Sequence, residues 1–549
     1  EGEGEEGAKE RKAVEKRLRG LSLRRVSELV AKFREREELQ QFVTQALAAL
    51  SPRIRRMPLD NTQSPVGLLQ SLLELSASGP LAASLFVDKD LLPSVFACLS
   101  APSAALTVRK ATLTLAENLL AAGWQTELSP HLGSLLSHLF LHLRNFVDAG
   151  GVQACGDVIE QLRNLALLRQ QLALLAKISS HPCDPEQAAQ LIDLLAGFLA
   201  PGKKLGGVGA SEEARLSILS AAANLVRNVP KPQNYVDLAA RQLAVPAQPP
   251  TREALCRLVA GIGKALKGVA AAVADLNSWS EARLDEYDFE RRLAAYNRFS
   301  APEPLAKLSR DEIIVLAGQA LHDIRDSDVA VRNHAVRLLG CLFTHIASQG
   351  GEEEMLSDDS SEKGLGAVYT GLILPEIKRS LREKRRELRH EAFRLLMTAA
   401  DAFPTLHSDL KRLAHADPEQ DIAQNLVHIQ LHRRIKALQR LQVAVAEGGF
   451  STETLRTMLQ PLIWFAVVEP QEKDRMKNTD GAYNVSDEAV RAAGAVASQL
   501  PWRGYSAFLW GAMRELTQGK GAGSEKALVK LVCAIVDAFH FKLIVPPEE

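Results

Sequence analysis

The chain has 549 residues, 46% of them hydrophobic, and can therefore bury a large apolar interior. A single compact core rarely grows to this length, so we expect several domains or one elongated array. The 66 lysines and arginines equal the 66 aspartates and glutamates in number, which excludes a global electrostatic attraction to nucleic acid or to an anionic membrane. A partner of either kind would have to bind a local patch.

The cysteine pattern and the lack of long apolar runs indicate the compartment. The six cysteines stand singly, without a C-x-x-C pair, as is typical of reduced intracellular thiols. No apolar run reaches the roughly 18 residues of a membrane-spanning helix, and the acidic residues 1–6 do not resemble a signal peptide. We therefore expect a cytosolic or nuclear protein without a membrane partner. Because the first residue is Glu1, we also expect an internal piece of a longer protein.

Composition divides the chain into four stretches. Residues 1–10 are acidic and Gly-rich and predict a flexible end, and residues 11–348 predict a first helical section, interrupted by a mobile Gly-rich loop at 202–209. Residues 349–366 are polar, acidic and Gly-rich, so they cannot offset their ordering entropy by burial and predict a disordered loop. Residues 367–549 predict a second helical section.

Apolar residues recur three and four positions apart almost throughout, whereas the alternation typical of strands is rare. The clearest stripe, which would form one face of a helix, consists of Val331, Ala335, Leu338, Leu339, Leu342, Phe343 and Ile346. The same template, with arginine at its second position, recurs from Val108, Leu388 and Val490. Residues 326–339 resemble the second helix of a HEAT repeat. Because one helix pair cannot bury its own stripe, we predict an all-α fold, a HEAT/armadillo-like α-solenoid in which antiparallel helix pairs form a superhelix.

The repeated arginines at the second position of this template are expected to be structural. In HEAT arrays this position usually pairs with an acid of the same or an adjacent repeat. Here the arginines are Arg109, Arg332, Arg389 and Arg491, and the candidate acids are Asp326, Asp328 and Asp487.

No motif in the chain indicates catalysis. The Gly-rich residues 207–209 and 519–524 lack the spacing of a phosphate-binding loop, and no G-x-S-x-G sequence is present. His390-Glu391 begins the zinc pattern H-E-x-x-H, but Arg394 replaces its second histidine. His428 and His432 lie four apart on one predicted helical face without a further ligand nearby, which favours packing or RNA contact over a metal. We expect no enzymatic activity, cofactor, metal or small-molecule substrate.

Two basic clusters are the strongest local signals. Residues 376–394 carry eight lysines and arginines against four glutamates, so a solvated, ion-paired helix face and a phosphate contact are both open. Residues 422–446 contain no acid, which favours contact with phosphate or with an acidic partner. The candidate contacts are Lys378, Arg379, Arg382, Lys384, Arg385 and Arg386 in the first cluster, and His428, His432, Arg433, Arg434, Lys436 and Arg440 in the second.

Residues 425–441 (NLVHIQLHRRIKALQRL) resemble a specific family, the small-subunit processome component 20 family, also called the down-regulated-in-metastasis family. Further segments are similar to family segments in the same order, namely residues 18–33, 85–99, 284–296, 499–505 and 526–541. The resemblance implies a nucleolar, non-enzymatic scaffold in the maturation of 18S ribosomal RNA. Its implied partners are pre-ribosomal RNA, the U-three small nucleolar particle and ribosome-assembly proteins. The positions that match the motif, and to which the resemblance assigns an RNA or partner role, are His428, His432, Arg433, Arg434 and Lys436.

Two other classes of function compete with this hypothesis. A HEAT-repeat nuclear transport receptor or another protein-binding adaptor would share the fold, although such receptors tend to be strongly acidic and this chain is balanced. An enzyme subunit that uses the repeats as a lever arm would require a catalytic domain outside this chain. Nucleotide-dependent binding to a small GTPase distinguishes the transport receptor from the RNA scaffold.

Overall fold

The computed structural model describes most of the chain: residues 37–59, 66–77, 79–102, 104–149, 151, 157–181, 183–200, 211–283, 286–357, 364–468, 485–518 and 525–542, with a few isolated positions before residue 37. The predicted flexible end at residues 1–10 lies outside these residues, as do the Gly-rich segments 202–209 and 519–524.

The predicted all-α class is confirmed. Helices follow one another along the described chain, and the pairing of extended backbone there is limited to one isolated bridge between Trp279 and Tyr287. Among the described helices, none combines the length and the apolar composition needed to cross a bilayer.

The helices fall into two compact units. The first unit comprises residues 1–238 and 247–265, and the second comprises residues 239–246 and 266–549. The division therefore falls between residues 238 and 266 and not at the predicted loop of residues 349–366. The α-helices of the first unit are α1 (Glu37–Arg56), α2 (Val66–Ser76), α3 (Leu91–Ala97), α4 (Leu106–Ala121), α5 (Gln125–Asp148), α6 (Val158–Ile178), α7 (Pro185–Leu199), α8 (Glu212–Leu225), α9 (Val236–Ala244), within which the division lies, and α10 (Pro249–Ile262).

The second unit continues the same architecture. Its α-helices are α11 (Ala270–Leu276), α12 (Phe289–Phe299), α13 (Pro302–Ala306), α14 (Arg310–Asp323), α15 (Val329–Ser348), α16 (Gly351–Leu356), α17 (Leu365–Val368), α18 (Leu374–Ser380), α19 (Arg386–Ala402), α20 (Ile422–Leu426), α21 (Leu431–Ala446), α22 (Thr452–Thr454), α23 (Gln460–Val468), α24 (Val485–Gln499), α25 (Trp502–Gln518) and α26 (Glu525–Asp537). Two π-helical turns are inserted, at Tyr369–Ile373 and Leu455–Leu459.

Each unit is an α-solenoid, in which a helix packs on its partner and on the equivalent helix of the next pair. In the first unit α2, α4, α6, α8 and α10 pack in succession, and α3, α5 and α7 form a second row. In the second unit α12, α15 and α19 pack in succession, as do α21, α24 and α26. The core therefore lies between successive helix pairs and runs along each stack.

The apolar stripes that predict the helices are the buried faces of those helices. All seven stripe residues of α15, from Val331 to Ile346, are buried. The stripe of α19 is buried from Leu388 to Ala399 and ends on buried Phe403. The three- and four-residue spacing of the apolar residues therefore predicts correctly which face of each of these helices is buried.

The structure differs from the predicted disordered loop at both ends of residues 349–366. Gly350 adopts a left-handed conformation with φ 76°, which glycine takes without strain, and α16 begins directly after it. Glu352 Oε1 accepts hydrogen bonds from the N–H groups of Thr405 at 2.6 Å and Leu406 at 2.9 Å, and Glu354 Oε2 accepts one from the N–H of Gly366 at 3.0 Å. These long-range bonds order acidic residues that composition alone assigns to a loop. Residues 358–363 lie outside the described part.

Candidate nucleic-acid interface

The first basic cluster lies on α18, on α19 and on the turn between them. Arg382, Lys384 and Arg385 are exposed in this turn. Arg385 Nη1 donates to the carbonyl of Arg325 at 2.8 Å, whereas the side chains of Arg382 and Lys384 have no hydrogen-bond or ion-pair partner among the described residues. The turn therefore presents two cationic side chains that are available to a ligand.

Other members of the first cluster are held by acids. Lys378 forms an ion pair with Glu453, and Arg379 pairs with Glu376 one helical turn away at 2.7 Å. Each of the two alternatives that the sequence left open therefore applies to a different part of the first cluster: some cations are ion-paired, and others are exposed to a ligand. The pairs occupy α18, and the side chains without partners follow it.

The second basic cluster begins outside the helix that the sequence predicts for it. His428 lies in the turn before α21, where its Nδ1 accepts a hydrogen bond from the N–H of Gln430 at 3.0 Å. His432 is exposed on the first turn of α21. The prediction that the two histidines share one helical face is therefore wrong, because the helix begins at Leu431 and not before His428.

The basic residues of α21 are divided between its two faces. Arg434 is 6% exposed and lies on the buried face with Ile435 and Leu438. On the outer side Lys436 is exposed, and Arg433 and Arg440 are half-buried. Arg433, Lys436 and Arg440 are three and then four residues apart and therefore share one face of the helix. Arg440 also donates to the carbonyl of Glu419.

A small cleft joins the two clusters. It has a volume of about 30 Å³ and is lined by Arg389 and His390 of α19, Arg434 of α21 and Phe465 of α23. The Arg389 guanidinium lies 4.0 Å from the centre of the Phe465 ring, a cation–π contact. Residues that are distant in sequence therefore converge in the second unit.

His390 is the electrostatic link between the clusters. Burial, followed by the positive charges of Arg386, Arg434 and Arg389, lowers its pKa from 6.5 to about 4, and Glu387 acts in the opposite direction. Arg386 Nε donates to His390 Nε2 at 3.4 Å, which requires a neutral imidazole at that nitrogen. We call Arg382, Lys384, Arg386, Arg433, Lys436 and Arg440 the basic surface.

The repeated arginines are structural, as expected, but most of their partners differ from the expected acids. Arg332 Nη1 donates to the carbonyls of Asp326 at 2.8 Å and Ser327 at 2.9 Å, and does not pair with the Asp326 carboxylate. Arg389 Nη1 does the same with the carbonyls of Glu383 and Lys384, both at 2.7 Å. The hydrogen bonds of these arginines therefore link the turn between two paired helices to the second helix of the pair.

Arg109 and Arg491 show the range of this arrangement. Arg109 Nη2 donates to the carbonyl of Ala101 at 2.9 Å, so it follows the same rule in the first unit. Arg491 instead pairs with the carboxylate of Glu488 at 2.6 Å, and the predicted acid Asp487 contacts Lys530.

Sequence reasoning missed Phe465 and the role of His390. Phe465 lies more than seventy positions after Arg389, and no periodicity relates the two residues. No pattern in the sequence indicates that His390 lies between the two basic clusters. Among the residues that the structure describes, no group of three or more His, Cys, Asp or Glu side chains is placed to hold a metal ion.

Comparison with known proteins gives one family. A family model described as U3 small nucleolar RNA-associated protein 20, N-terminal, matches residues 2–385. The match includes the turn between α18 and α19 and ends before α21.

Two curated relatives agree with this match. The chain is 27% identical over 276 residues to the U3 small nucleolar RNA-associated protein 20 of Schizosaccharomyces pombe. The aligned residues make up 49% of this chain and 10% of the relative. It is 28% identical over 248 residues to the protein of the same name from Saccharomyces cerevisiae, with 44% and 9% covered. The matches therefore span about a tenth of the length of these relatives.

Proposed function

Because this chain belongs to the family of U3 small nucleolar RNA-associated protein 20, we propose that it is a non-catalytic helical scaffold that binds RNA through the basic surface of its second unit. In this proposal the RNA is pre-ribosomal or small nucleolar RNA, the setting is the nucleolar small-subunit processome, and the process is maturation of 18S ribosomal RNA. Ribosome-assembly proteins would bind other faces of the helix stacks.

The observation that carries the proposal is the outer face of α21. Arg433, Lys436 and Arg440 share this face, and residues 422–446 contain no acid, so the nearby carboxylate of Asp417, which interacts with Arg440, comes from the segment before α20. The buried face of the same helix holds Ile435, Leu438 and Leu441 against the stack. A packed helix fixes the spacing at which its backbone presents these cations along one face, and a row of cations attracts a polyanion.

The turn before α19 adds to this surface. Arg382 and Lys384 are exposed without side-chain partners in the described structure, and Arg386 is half-buried beside the cleft. An arginine guanidinium matches two phosphate oxygens at once, and it loses its hydration more readily than an ammonium group does. Both properties favour the phosphate backbone as the ligand.

A salt titration of RNA binding tests the proposal. We expect the full chain to bind single-stranded RNA with an affinity that falls linearly with salt on a log–log plot. A triple variant with Arg382→Gln, Arg433→Gln and Lys436→Gln should reduce the magnitude of the slope by about two, because each lost phosphate contact contributes about 0.7.

The matched control removes the same charge from another exposed surface of the second unit, with Arg503→Gln, Arg514→Gln and Lys526→Gln on α25 and α26. Its slope should stay close to that of the unmodified chain. Equal slopes for the two triple variants would contradict an RNA site at the basic surface. Binding to a small GTPase in one nucleotide state, without RNA binding, would favour the transport receptor instead.

A further inference from the structure

A sizeable cavity of the first unit lies apart from the residues of the basic surface. It has a volume of about 470 Å³ and is formed by α4, α5 and α6. This volume lies within the range of pockets that hold small ligands. The cavity is lined by both polar and apolar side chains, among them Arg109, His142, Phe146, Asn145, Asn164 and Gln171.

The cavity is elongated along α6. Its lining includes Glu160 near the start of this helix and Gln171 three turns later. Eleven residues of α-helix span about 16 Å at about 1.5 Å each, so the carboxylate and the amide mark opposite ends. Gln171 is fully buried and Glu160 is exposed, so the end at Gln171 is closed and the other end faces solvent.

The closed end holds a cation with a free donor. Arg109 donates from Nη2 to the Ala101 carbonyl, but its Nε is buried and has no hydrogen-bond partner. A buried donor without a partner is unfavourable, and an acceptor entering the cavity would remove this penalty. An anionic acceptor would in addition be attracted by the guanidinium charge.

The neighbour of Arg109 is a neutral histidine. Gln171 Nε2 lies 2.8 Å from His142 Nδ1, and burial, followed by the charge of Arg109, lowers the pKa of His142 from 6.5 to about 4. The neutral ring adds hydrogen-bonding capacity without adding positive charge. It also reports on its surroundings, because an anion next to Arg109 would raise the pKa of His142.

An aromatic ring and amides continue the cavity from this point. Phe146 is one helical turn after His142 on α5, about 6 Å along the axis, and it lines the same cavity. Asn145 and Asn164 line this part too, and Glu160 lies beyond them. An aromatic ring, the amide of exposed Asn145 and a carboxylate acceptor can together hold a planar heterocycle by stacking and by hydrogen bonds to its edge.

We propose that this cavity binds one nucleotide of a single-stranded RNA, with its phosphate against Arg109 and its base against Phe146. His142, which is close enough to Arg109 to feel its charge, lies one helical turn before Phe146, and a phosphate and a base of the same nucleotide suit this spacing. A phosphate alone would use only the closed end, and an acidic peptide would leave the ring and amides unused. The proposal takes from the proposed function that RNA is the partner, but it uses a different unit and different residues.

The test uses the full chain and three small probes: adenosine 5′-monophosphate, inorganic phosphate and adenosine. We expect the monophosphate to bind at least about tenfold more tightly than either of its parts. The pKa of His142, followed by NMR of its ring, should rise on binding. A short single-stranded oligoadenylate should displace the monophosphate, which assigns the natural ligand to an RNA strand and not to a free nucleotide.

Two variants and a matched control separate the site from the fold. Arg109→Gln should weaken monophosphate binding at least about tenfold, and Phe146→Leu should weaken it while leaving phosphate binding unchanged. Arg332→Gln removes the equivalent template arginine from α15, outside the cavity, and should bind the monophosphate as the unmodified chain does.

Several results would overturn the proposal. They are monophosphate binding no tighter than phosphate binding, equal affinities for Arg109→Gln and Arg332→Gln, and failure of the oligoadenylate to compete. Failure of the proposed function is distinguishable, because the triple variant of the basic surface should bind the monophosphate normally. A flat salt response together with intact monophosphate binding would reject the basic surface alone.

Discussion

At the scale of single residues, arginine side chains of the second unit donate hydrogen bonds to the backbone of the turn that precedes their own helix. Arg389 is 3% exposed, bonds two carbonyls of the preceding turn and stacks on Phe465. Arg332 makes the equivalent bonds one repeat earlier. The sequence predicted that these arginines are structural. It did not predict their acceptors, because a carbonyl has no signature in the side-chain pattern.

Removing one of these arginines should destabilise the stack. We expect Arg332→Met to lower the free energy of unfolding by about 1–3 kcal/mol, since the charged donors are lost and two carbonyls are left without their partner. Chemical denaturation measures the effect. Arg337→Met on the exposed side of the same helix should change the free energy of unfolding by less than about 0.5 kcal/mol. Similar losses for both variants would contradict the role of the carbonyl bonds.

His390 makes the free energy of unfolding depend on pH between about 4 and 6.5. Its pKa is about 4 in the folded chain and 6.5 without the fold, so between these values the unfolded chain binds more protons. Its contribution to stability is therefore complete above pH 6.5 and is lost progressively as the pH falls toward 4. Each unit of pKa separation corresponds to about 1.4 kcal/mol.

The variant His390→Gln should therefore lose less stability between pH 7 and pH 5 than the unmodified chain does. Urea midpoints at both pH values measure this difference. His142→Gln offers an independent repeat in the first unit, since the pKa of His142 is also about 4. A pH dependence that is unchanged in both variants would show that neither ring is held neutral by burial.

At the scale of helices, close packing depends on positions that the apolar stripes do not identify. Gly318 on α14 faces the part of α9 that belongs to the second unit, and a Cβ atom there would lie 2.3 Å from the Ala240 carbonyl oxygen. Gly133 on α5 has open space at the same position, with nothing within 4 Å. The sequence shows two glycines inside helices and gives no means of distinguishing them.

We expect opposite effects of the same substitution at these two sites. Gly318→Ala should destabilise the second unit, because backbone atoms of α9 cannot move aside without shifting the helix. Gly133→Ala should stabilise the first unit by about 0.5–1 kcal/mol, since alanine is the better helix former. Thermal unfolding followed by circular dichroism checks both. Stabilisation by Gly318→Ala would mean that α9 and α14 do not approach this closely.

The limits of prediction at this scale have physical causes. The stripes of α4, α15 and α19 were sufficient to locate these helices, because burial on one face imposes a period of 3.6 residues. The start of α21 was missed because Gln430 occupies its N-cap without a side-chain capping bond, so no capping residue marks it. Helix α16 was missed because Glu352 accepts hydrogen bonds from residues 53 and 54 positions later, and no local pattern in the sequence indicates such bonds.

At the scale of the whole molecule, the chain buries its apolar residues by the same stacking of helix pairs in each unit. Each helix pair leaves an apolar face that the next pair covers, and this arrangement recurs within each of the two units. The repeating pattern could be predicted, since it depends on local periodicity. The division between residues 238 and 266 could not, because it depends on contacts between residues that are distant in sequence.

The candidate sites also become visible only at this scale. Two basic clusters of the sequence adjoin through Arg386, His390 and Arg434, which lie on two different helices. The cavity of the first unit likewise combines α4, α5 and α6. The sequence indicates most of the charged residues of these two sites. Which of those residues are accessible to a ligand depends on the packing of the helices.

Ultraviolet crosslinking in cells that express the protein tests the central claim most directly. Peptides linked to RNA are identified by mass spectrometry. The account predicts RNA-linked peptides from α21, around Arg433 and Lys436, and from the turn between α18 and α19. A map in which RNA is linked elsewhere, while both of these segments carry only protein crosslinks or none, would contradict the assignment of the basic surface to RNA.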